Sequence, residues 1–289
     1  MKIAFITYDD QGKYASSVEN EDTRLLHFLR EKGLNISLEI WTDAGVNWQS
    51  YDLAILKSPW DYFDRIHEFY GWLEKMEKIS VPLLNSIPIV RWNCDKHYLA
   101  DIEAGGLPIT PTRFLEKGET THLNHFFDDF KSEKIVIKPC ISGGSKHTFA
   151  IAREQVDATT SKLQPLLEQE SFMVQPFLPQ IQEEGEWSFV FFNGRFSHSL
   201  LKKARPGDFR VQHYLGGSIH AGPAPEHLMQ EATAYVEAFA QGCLYARVDG
   251  LEVAGHFLLM ELELIEPFLF LFTHPDSYEN YYQALKKLI

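Results

Sequence analysis

Three observations predict an α/β chain whose C-terminal part turns α+β. Strand and helix patterns alternate up to about residue 91. Strand patterns then crowd together around an Asn-Gly turn, and late in the chain two glutamates alternate with leucines in a strand.

The alternation begins with Ile3 to Thr7, an apolar run that reads as a buried opening strand. Leu25, Leu26, Phe28 and Leu29 fall at helical spacing within a helix from Asp22 to Lys32 that stops at Gly33. Short strands at Ile36 to Trp41 and Leu53 to Leu56 follow, then a helix around Phe69 to Lys78 and a strand at Val81 to Asn85. This order predicts a small, largely parallel-sheet α/β domain over residues 1–91. Beyond it, a helix is expected from Asn93 to Ala104, ending at Gly105-Gly106. Strands at Lys134 to Lys138, Thr148 to Ala152 and Phe172 to Gln175 follow, with little helix between some of them. Ser188 to Phe192 and Arg195 to Lys202 flank Asn193-Gly194, whose residues supply the positive φ angles of a type I′ hairpin turn. A helix at about Glu226 to Gln241 precedes the acidic strands.

A chain of 289 residues can bury a substantial core and divide into two or three lobes. Forty acidic against 27 basic residues give a net charge of -13, which argues against general affinity for nucleic acid but not against a local anion site. Cys94, Cys140 and Cys243 are odd in number and lack CxxC spacing, so neither a disulfide framework nor a thiolate zinc site is expected. A reducing cytoplasm suits them. The N-terminus turns acidic at Asp9-Asp10, too early for a signal peptide, and the run Pro267 to Phe272 is too short to span a bilayer. No membrane attachment is expected.

Arg247-Val248-Asp249 followed by Glu261-Leu262-Glu263 places acids where a strand should bury apolar groups. Glu261 and Glu263 share one face, roughly 7 Å apart, and repel unless a cation or solvent separates them. Such hard oxygen ligands suit Mg²⁺ together with substrate phosphates. They fit a solvated acidic face equally well.

Ile137-Lys138-Pro139 ends a strand before Ser142-Gly143-Gly144-Ser145, a loop able to bring main-chain N–H groups close to an anion. It matches neither GxGxxG nor GxxxxGK[ST], and alone it reads slightly better as an ordinary turn. Lys96 sits at the expected start of a helix, where an anion is welcome and a cation needs a partner. Lys202, Lys203, Arg205 and Arg210 form the densest basic patch, around Pro206 to Phe209, with Gly216-Gly217 just beyond. Near Arg247 that patch could hold a carboxylate and a phosphoryl group; otherwise it is a solvated loop. His122 and His125 have helical spacing but no third ligand in register, so a surface position is expected. No GxSxG, HExxH or cysteine-nucleophile signature occurs. Lys57-Ser58-Pro59-Trp60-Asp61 ends a strand, where α/β ligand sites form.

Singly, each feature has a bland reading. Their order does not: a lysine at a helix start, a lysine before a Gly-rich loop, a strand leading to Gln175-Pro176-Phe177, a basic loop, then Asp and Glu-x-Glu. From about Trp92 to Leu271 this resembles the ATP-grasp ligase superfamily, nearest the branch of glutathione synthetase and the ribosomal-protein glutamate ligases. Trp92 to Lys96, Gly207 to Arg210 and Met260 to Pro267 also resemble the ligases that cyclise O-ureidoserine to cycloserine. The resemblance implies an ATP-grasp fold over 92–289, with a lid subdomain at about 110–178 and a metal-binding subdomain at about 179–289. It implies that Lys96 and Lys138 contact the nucleotide phosphates beneath a closing loop of Ser142, Gly143, Gly144 and Ser145. Gln175, Pro176, Phe177 and Leu178 would form the adenine hinge, with Glu183 or Glu186 near the ribose. Asp249, Glu261 and Glu263 would hold one or two Mg²⁺, for which Mn²⁺ can substitute. Lys138, Arg210 and Arg247 would be catalytic, the arginines steadying an acyl phosphate. Glu263 departs from the commoner Glu-x-Asn and adds a negative charge; the cycloserine-ligase group shares this form.

The expected function is therefore an ATP-dependent carboxylate–amine ligase acting through an acyl phosphate on a small amino-acid-like substrate. The alternatives are an ATP-binding regulator without turnover and a Mg-dependent phosphotransferase. A homodimer is the default assembly.

Overall fold

The first strands and helices alternate as expected, and their order builds a parallel sheet. The computed structural model describes residues 1–9, 21–205, 207–211 and 216–289. β1 (Lys2–Thr7), α1 (Glu21–Glu31), β2 (Asn35–Ile40), β3 (Leu53–Ser58), α2 (Ile66–Ile79) and β4 (Leu83–Leu84) come first. The sheet order is β2-β1-β3-β4, every pair parallel. All six residues of β3 are buried, as befits a central parallel strand covered on both faces.

Next, α3 (Ile87–Asn93) and α4 (Tyr98–Ala104) correct the single helix expected from Asn93. The break has a local cause. Asp95 accepts the His97 N–H through its side chain, and the Lys96 N–H is drawn away to the Cys140 carbonyl at 2.9 Å. Lys96 thus occupies the turn before α4.

β5 (Arg113–Leu115), α5 (Asn124–Asp129), β6 (Lys134–Pro139), β7 (Phe149–Ala152), α6 (Val156–Leu167) and β8 (Phe172–Pro176) form a second, antiparallel sheet ordered β5-β8-β6-β7. No helix separates β6 from β7, and α6, for which the sequence pattern offered no helix of its own, separates β7 from β8. Its Thr159, Thr160, Ser161 and Pro165 are poor helix formers, so tertiary burial of Val156, Leu163 and Leu167 holds it instead.

The remaining elements are α7 (Gln180–Glu183), β9 (Glu186–Phe192), β10 (Arg195–Lys203), β11 (Ser218–Ala221), α8 (Glu226–Phe239), β12 (Tyr245–Val253), β13 (His256–Glu263) and α9 (Ser277–Leu288). β11-β10-β9-β12-β13 make an antiparallel sheet. Its hairpin turn has Asn193 at φ 46° and Gly194 at φ 73°, as a type I′ turn requires. One apolar core joins Ile3, Phe5 and Ile55 of the first sheet to Val190, Tyr245 and Tyr281, so the two ends of the chain are packed together. No helix among the described residues is long and apolar enough to cross a membrane.

Candidate active site

Register decides where the acids point. Across β12 and β13, Arg247 lies opposite Glu263 and Asp249 opposite Glu261, while Ser188 of β9 lies opposite Asp249. These residues therefore share one face, and Val248 and Leu262, at 0% and 1% exposure, fill the core on the other. The polar face is the floor of a cavity of about 870 Å³.

Glycine 250 is needed at the bulge beside Asp249, since a Cβ there would meet the Leu258 carbonyl at 2.5 Å. The edge of β13 is closed by Asn93, whose amide donates to the Leu262 carbonyl and accepts from the Leu264 N–H, and by Tyr98, whose hydroxyl accepts the Leu262 N–H. These bonds seat the α3–α4 turn over Glu261. There Lys96 meets Glu261 at 3.2 Å and donates to the Ser142 carbonyl at 2.8 Å.

Each acid on the floor is matched to a base. Asp249 accepts from Arg247, from Lys202 at 3.1 Å and from the Ser188 hydroxyl at 2.6 Å. Burial disfavours its charge, yet Arg247 and Lys202 outweigh burial and hold the carboxyl below its ordinary range. Glu261 is likewise lowered against burial, by Lys96 and Lys138. Glu263 pairs with Arg247, but burial pushes it up to about 7, helped by Glu261 and Asp249. Glu186, paired with Lys202, is also raised by burial. The three predicted metal ligands thus share a wall, although their oxygens are each drawn toward a base. Among the described residues, the acid, histidine and cysteine atoms that do gather within 4.8 Å are those of Asp95, His97 and Cys140.

Lys138 differs from the other bases. Among the described residues its ammonium has no hydrogen bond or ion pair, and burial pushes its pKa down. The loop beside it, Ser142 to Ser145, lies against the first sheet's loop: a Cβ on Gly143 would sit 2.4 Å from the Phe63 ring, and Lys146 pairs with Asp64 at 2.6 Å.

Of the predicted residues, Lys96, Lys138, Ser142 to Ser145, Gln175 to Leu178, Glu186, Arg210, Arg247, Asp249, Glu261 and Glu263 all line the cavity. Glu183 is exposed on α7 and does not. The basic patch divides, because neighbouring strand residues face opposite ways: Lys202 enters the cavity, whereas Lys203 points to solvent. Arg210 lines the cavity with both ends of its guanidinium on Asp208, at 3.0 and 2.9 Å. Pro206 lies outside the described residues. Trp60 lines the cavity, but Asp61 turns away to accept from the Trp41 indole at 2.7 Å. His122 and His125 are exposed, as expected. The three cysteines are free and buried, and burial raises each thiol, which unsuits them as nucleophiles.

Sequence reasoning assigned no role to Tyr62, Phe63, Glu266, Phe268 or Phe270, which also line the cavity. The visible signal was a third acid three residues after Glu263, followed by aromatics at alternate positions.

The family model for the prokaryotic glutathione synthetase ATP-grasp domain matches residues 109–268, more than half of the chain. The chain belongs to the ATP-grasp ligases. Its class of activity is accordingly ATP-dependent C–N bond formation. A second model, the N-terminal domain of D-cycloserine synthetase DcsG, matches residues 3–85. The cycloserine biosynthesis protein DcsG of Streptomyces lavendulae is 27% identical over 282 residues, covering 90% of this chain and 91% of that protein. The crystal structure of D-cycloserine synthetase DcsG matches with a TM-score of 0.84 at 26% identity, covering 100% of both chains. The D-alanine–D-alanine ligase of Bacillus anthracis, complexed with ATP, matches at 0.70 and 14% identity over 100% of this chain and 97% of its own, a likeness of fold alone. The resemblance drawn from the motifs is borne out, and with it the fold class.

Proposed function

We propose that this ATP-grasp ligase activates a small amino-acid-like carboxylate as its acyl phosphate and joins the acyl group to an amine nitrogen. Lys138 carries the reading: an ammonium with no hydrogen bond or ion pair among the described residues, close to the carboxylates of Glu261 and Glu186, is arranged for an anion that arrives with its own metal. The donor set suits that pair, since three carboxylates offer hard oxygens for Mg²⁺ and four basic side chains surround them. Held by Asp249, Glu261 and Glu263, one or two Mg²⁺, or Mn²⁺, would neutralise phosphate oxygens. Lys96 and Lys138 would hold the phosphates under the Ser142 to Ser145 loop. The Leu178 main-chain N–H makes no hydrogen bond to a described residue and would be a donor for adenine at the Gln175 to Leu178 hinge. Gln175 turns its side chain to Thr112 at 2.9 Å, leaving this edge to the main chain. Glu186 is better placed than Glu183 for the ribose.

In the reaction, a substrate carboxylate oxygen takes the γ-phosphoryl group and the bond to ADP breaks. The amine nitrogen then attacks the acyl carbon, phosphate leaves with the C–O bond, and the nitrogen loses a proton. Arg247 and Arg210 face the cavity where charge accumulates on the acyl phosphate. No side chain need become a nucleophile. Ring closure within one substrate uses the same activation as amide formation between two, so both kinds of product are to be sought.

A screen of amino acids and their derivatives for stimulated ADP release, followed by hydroxylamine trapping, tests this. We expect a hydroxamate of the stimulating acid, dependent on ATP and appearing with ADP. Lys138→Ala should reduce both signals by at least about a hundredfold. ADP release that yields neither hydroxamate nor amide would favour phosphotransfer to another acceptor and sink the ligase reading.

A further inference from the structure

Glu266 is the acid of the cavity whose side chain makes no hydrogen bond or ion pair among the described residues. Asp249, Glu261, Glu263 and Glu186 each pair with Arg247, Lys96 or Lys202. The Glu266 carboxylate has no hydrogen bond or ion pair among the described residues, although it lines the same cavity. Lys96 and Arg247, whose charges reach it, are already committed, Lys96 to Glu261 and the Ser142 carbonyl and Arg247 to Asp249 and Glu263. Burial and the neighbouring Glu263 push Glu266 up to about 8, a sign that the protein itself supplies too little positive charge there.

The surroundings suggest what supplies it. Trp60, Tyr62 and Phe268 share this part of the cavity wall, and the Trp60 and Phe268 rings lie 6.4 Å apart, tilted by 46°. The Trp60 indole donates to the Glu266 carbonyl at 2.9 Å, which fixes the ring beside the acid and occupies an oxygen a metal could have used. A divalent metal needs several hard oxygens, whereas one carboxylate among aromatic faces suits an organic ammonium. We infer that Glu266, with the faces of Trp60 and Phe268, is the subsite for a primary ammonium carried by the acid substrate. It makes Glu266 a specificity-determining residue: Lys138 awaits the phosphate, and Glu266 awaits the cationic end of an amino acid. This inference rests on the ligase reading only for the identity of the molecule that carries the ammonium.

The test uses the full chain saturated with Mg²⁺ and a nonhydrolysable ATP analogue. Ligand-observed magnetic resonance would follow a panel of D- and L-amino acids, O-substituted serines included, against their des-amino counterparts. We expect amino acids to bind and their des-amino partners to bind at least about tenfold more weakly, the discrimination expected when a site's buried polar group is left unpaired. Glu266→Gln should erase that preference and leave the affinity for the Mg-nucleotide in place, while Glu266→Asp, which keeps the charge, should restore part of it. Equal binding of both sets, no binding by any amino acid, or a preference that survives Glu266→Gln would each overturn the subsite. A raised Mg²⁺ requirement in Glu266→Gln would overturn it in favour of a metal ligand. The two readings separate cleanly. Amino acids that bind through Glu266 and stimulate ADP release but yield neither hydroxamate, amide nor cyclic product would leave the subsite standing and sink the ligase, and des-amino acids turned over as fast as amino acids would do the reverse.

Discussion

Lys96 and Lys138 show how much a single side chain's partners decide. Both are lysines beside the same glutamate, yet Lys96 is neutralised by Glu261 and held above its ordinary pKa despite burial, whereas Lys138 is left to burial and falls below it. The sequence marked both for phosphate. Only the packing of the α3–α4 turn on β13 shows that one is already bound to an acid and the other is not. His198 is a different case, a buried histidine with a structural role. Only 3% exposed, it lies 2.8 Å through Nε2 from the Leu269 carbonyl, so Nε2 carries a proton. Burial pushes its pKa down to about 4, against 6.5 for the free side chain. The unfolded chain therefore takes the proton first, and stability present above 6.5 is lost as pH falls from there toward 4. Between about pH 7 and about pH 5 the loss from this residue should be on the order of 2 kcal/mol. Urea unfolding at the two pH values should show the parent losing that much more than His198→Gln; equal losses would assign the dependence to other groups.

Among the elements, the Ser142 to Ser145 loop is the one whose function depends on fit. Glycine was legible there as a means of close approach to an anion. In the structure the close approach that Gly143 permits is to Phe63, while Gly144 and Ser145 take positive φ angles of 61° and 62°. Gly143→Ala should force the loop off that ring, an overpacking cost of roughly 1–3 kcal/mol. Phe63→Ala added to it should restore the room. Hydrogen exchange across 140–148 should slow when a nonhydrolysable ATP analogue binds, lose that protection in Gly143→Ala, and regain it in the double variant. If exchange is indifferent to nucleotide in the parent, the phosphates lie under another loop. Element boundaries followed the same logic. The strands and the Asn193-Gly194 turn could be read because alternation and turn chemistry are local, whereas α6 could not, because its threonines and proline oppose the helix that burial imposes.

At the scale of the molecule, the N-terminal sheet is bound to the floor of the cavity by a buried ionic cluster. Lys57, fully buried, pairs with Glu21 at 3.2 Å and Asp22 at 3.0 Å and donates to the Pro267 carbonyl. Glu21 in turn accepts the Leu269 and Leu271 N–H groups at 2.9 Å. Between them, the Phe268 carbonyl accepts from Arg247 at 2.8 Å. Lys57→Met would strand the buried Glu21 and leave the half-buried Asp22 without its cation, and we expect about 3–5 kcal/mol lower stability, read as a lower denaturant midpoint. An unchanged midpoint would show that the cluster does not join the two regions.

The sequence by itself determined the family and the fold class, and it singled out every charged side chain that lines the cavity except Glu266. The features that carried the resemblance are short and local: Lys138 before a Gly-rich loop, Glu261 and Glu263 at i and i+2, and Gln175 at a strand's end. Tertiary structure alone decided which charges are neutralised. It paired Glu261 with Lys96 across 165 positions of chain, divided Lys202 from Lys203, turned Asp61 to Trp41, and left Lys138 and Glu266 with no hydrogen bond or ion pair among the described residues. The reason is physical: a residue's chemical type is carried by the chain, but its charge balance is set by whatever the fold brings within a few ångströms, and no local pattern records that.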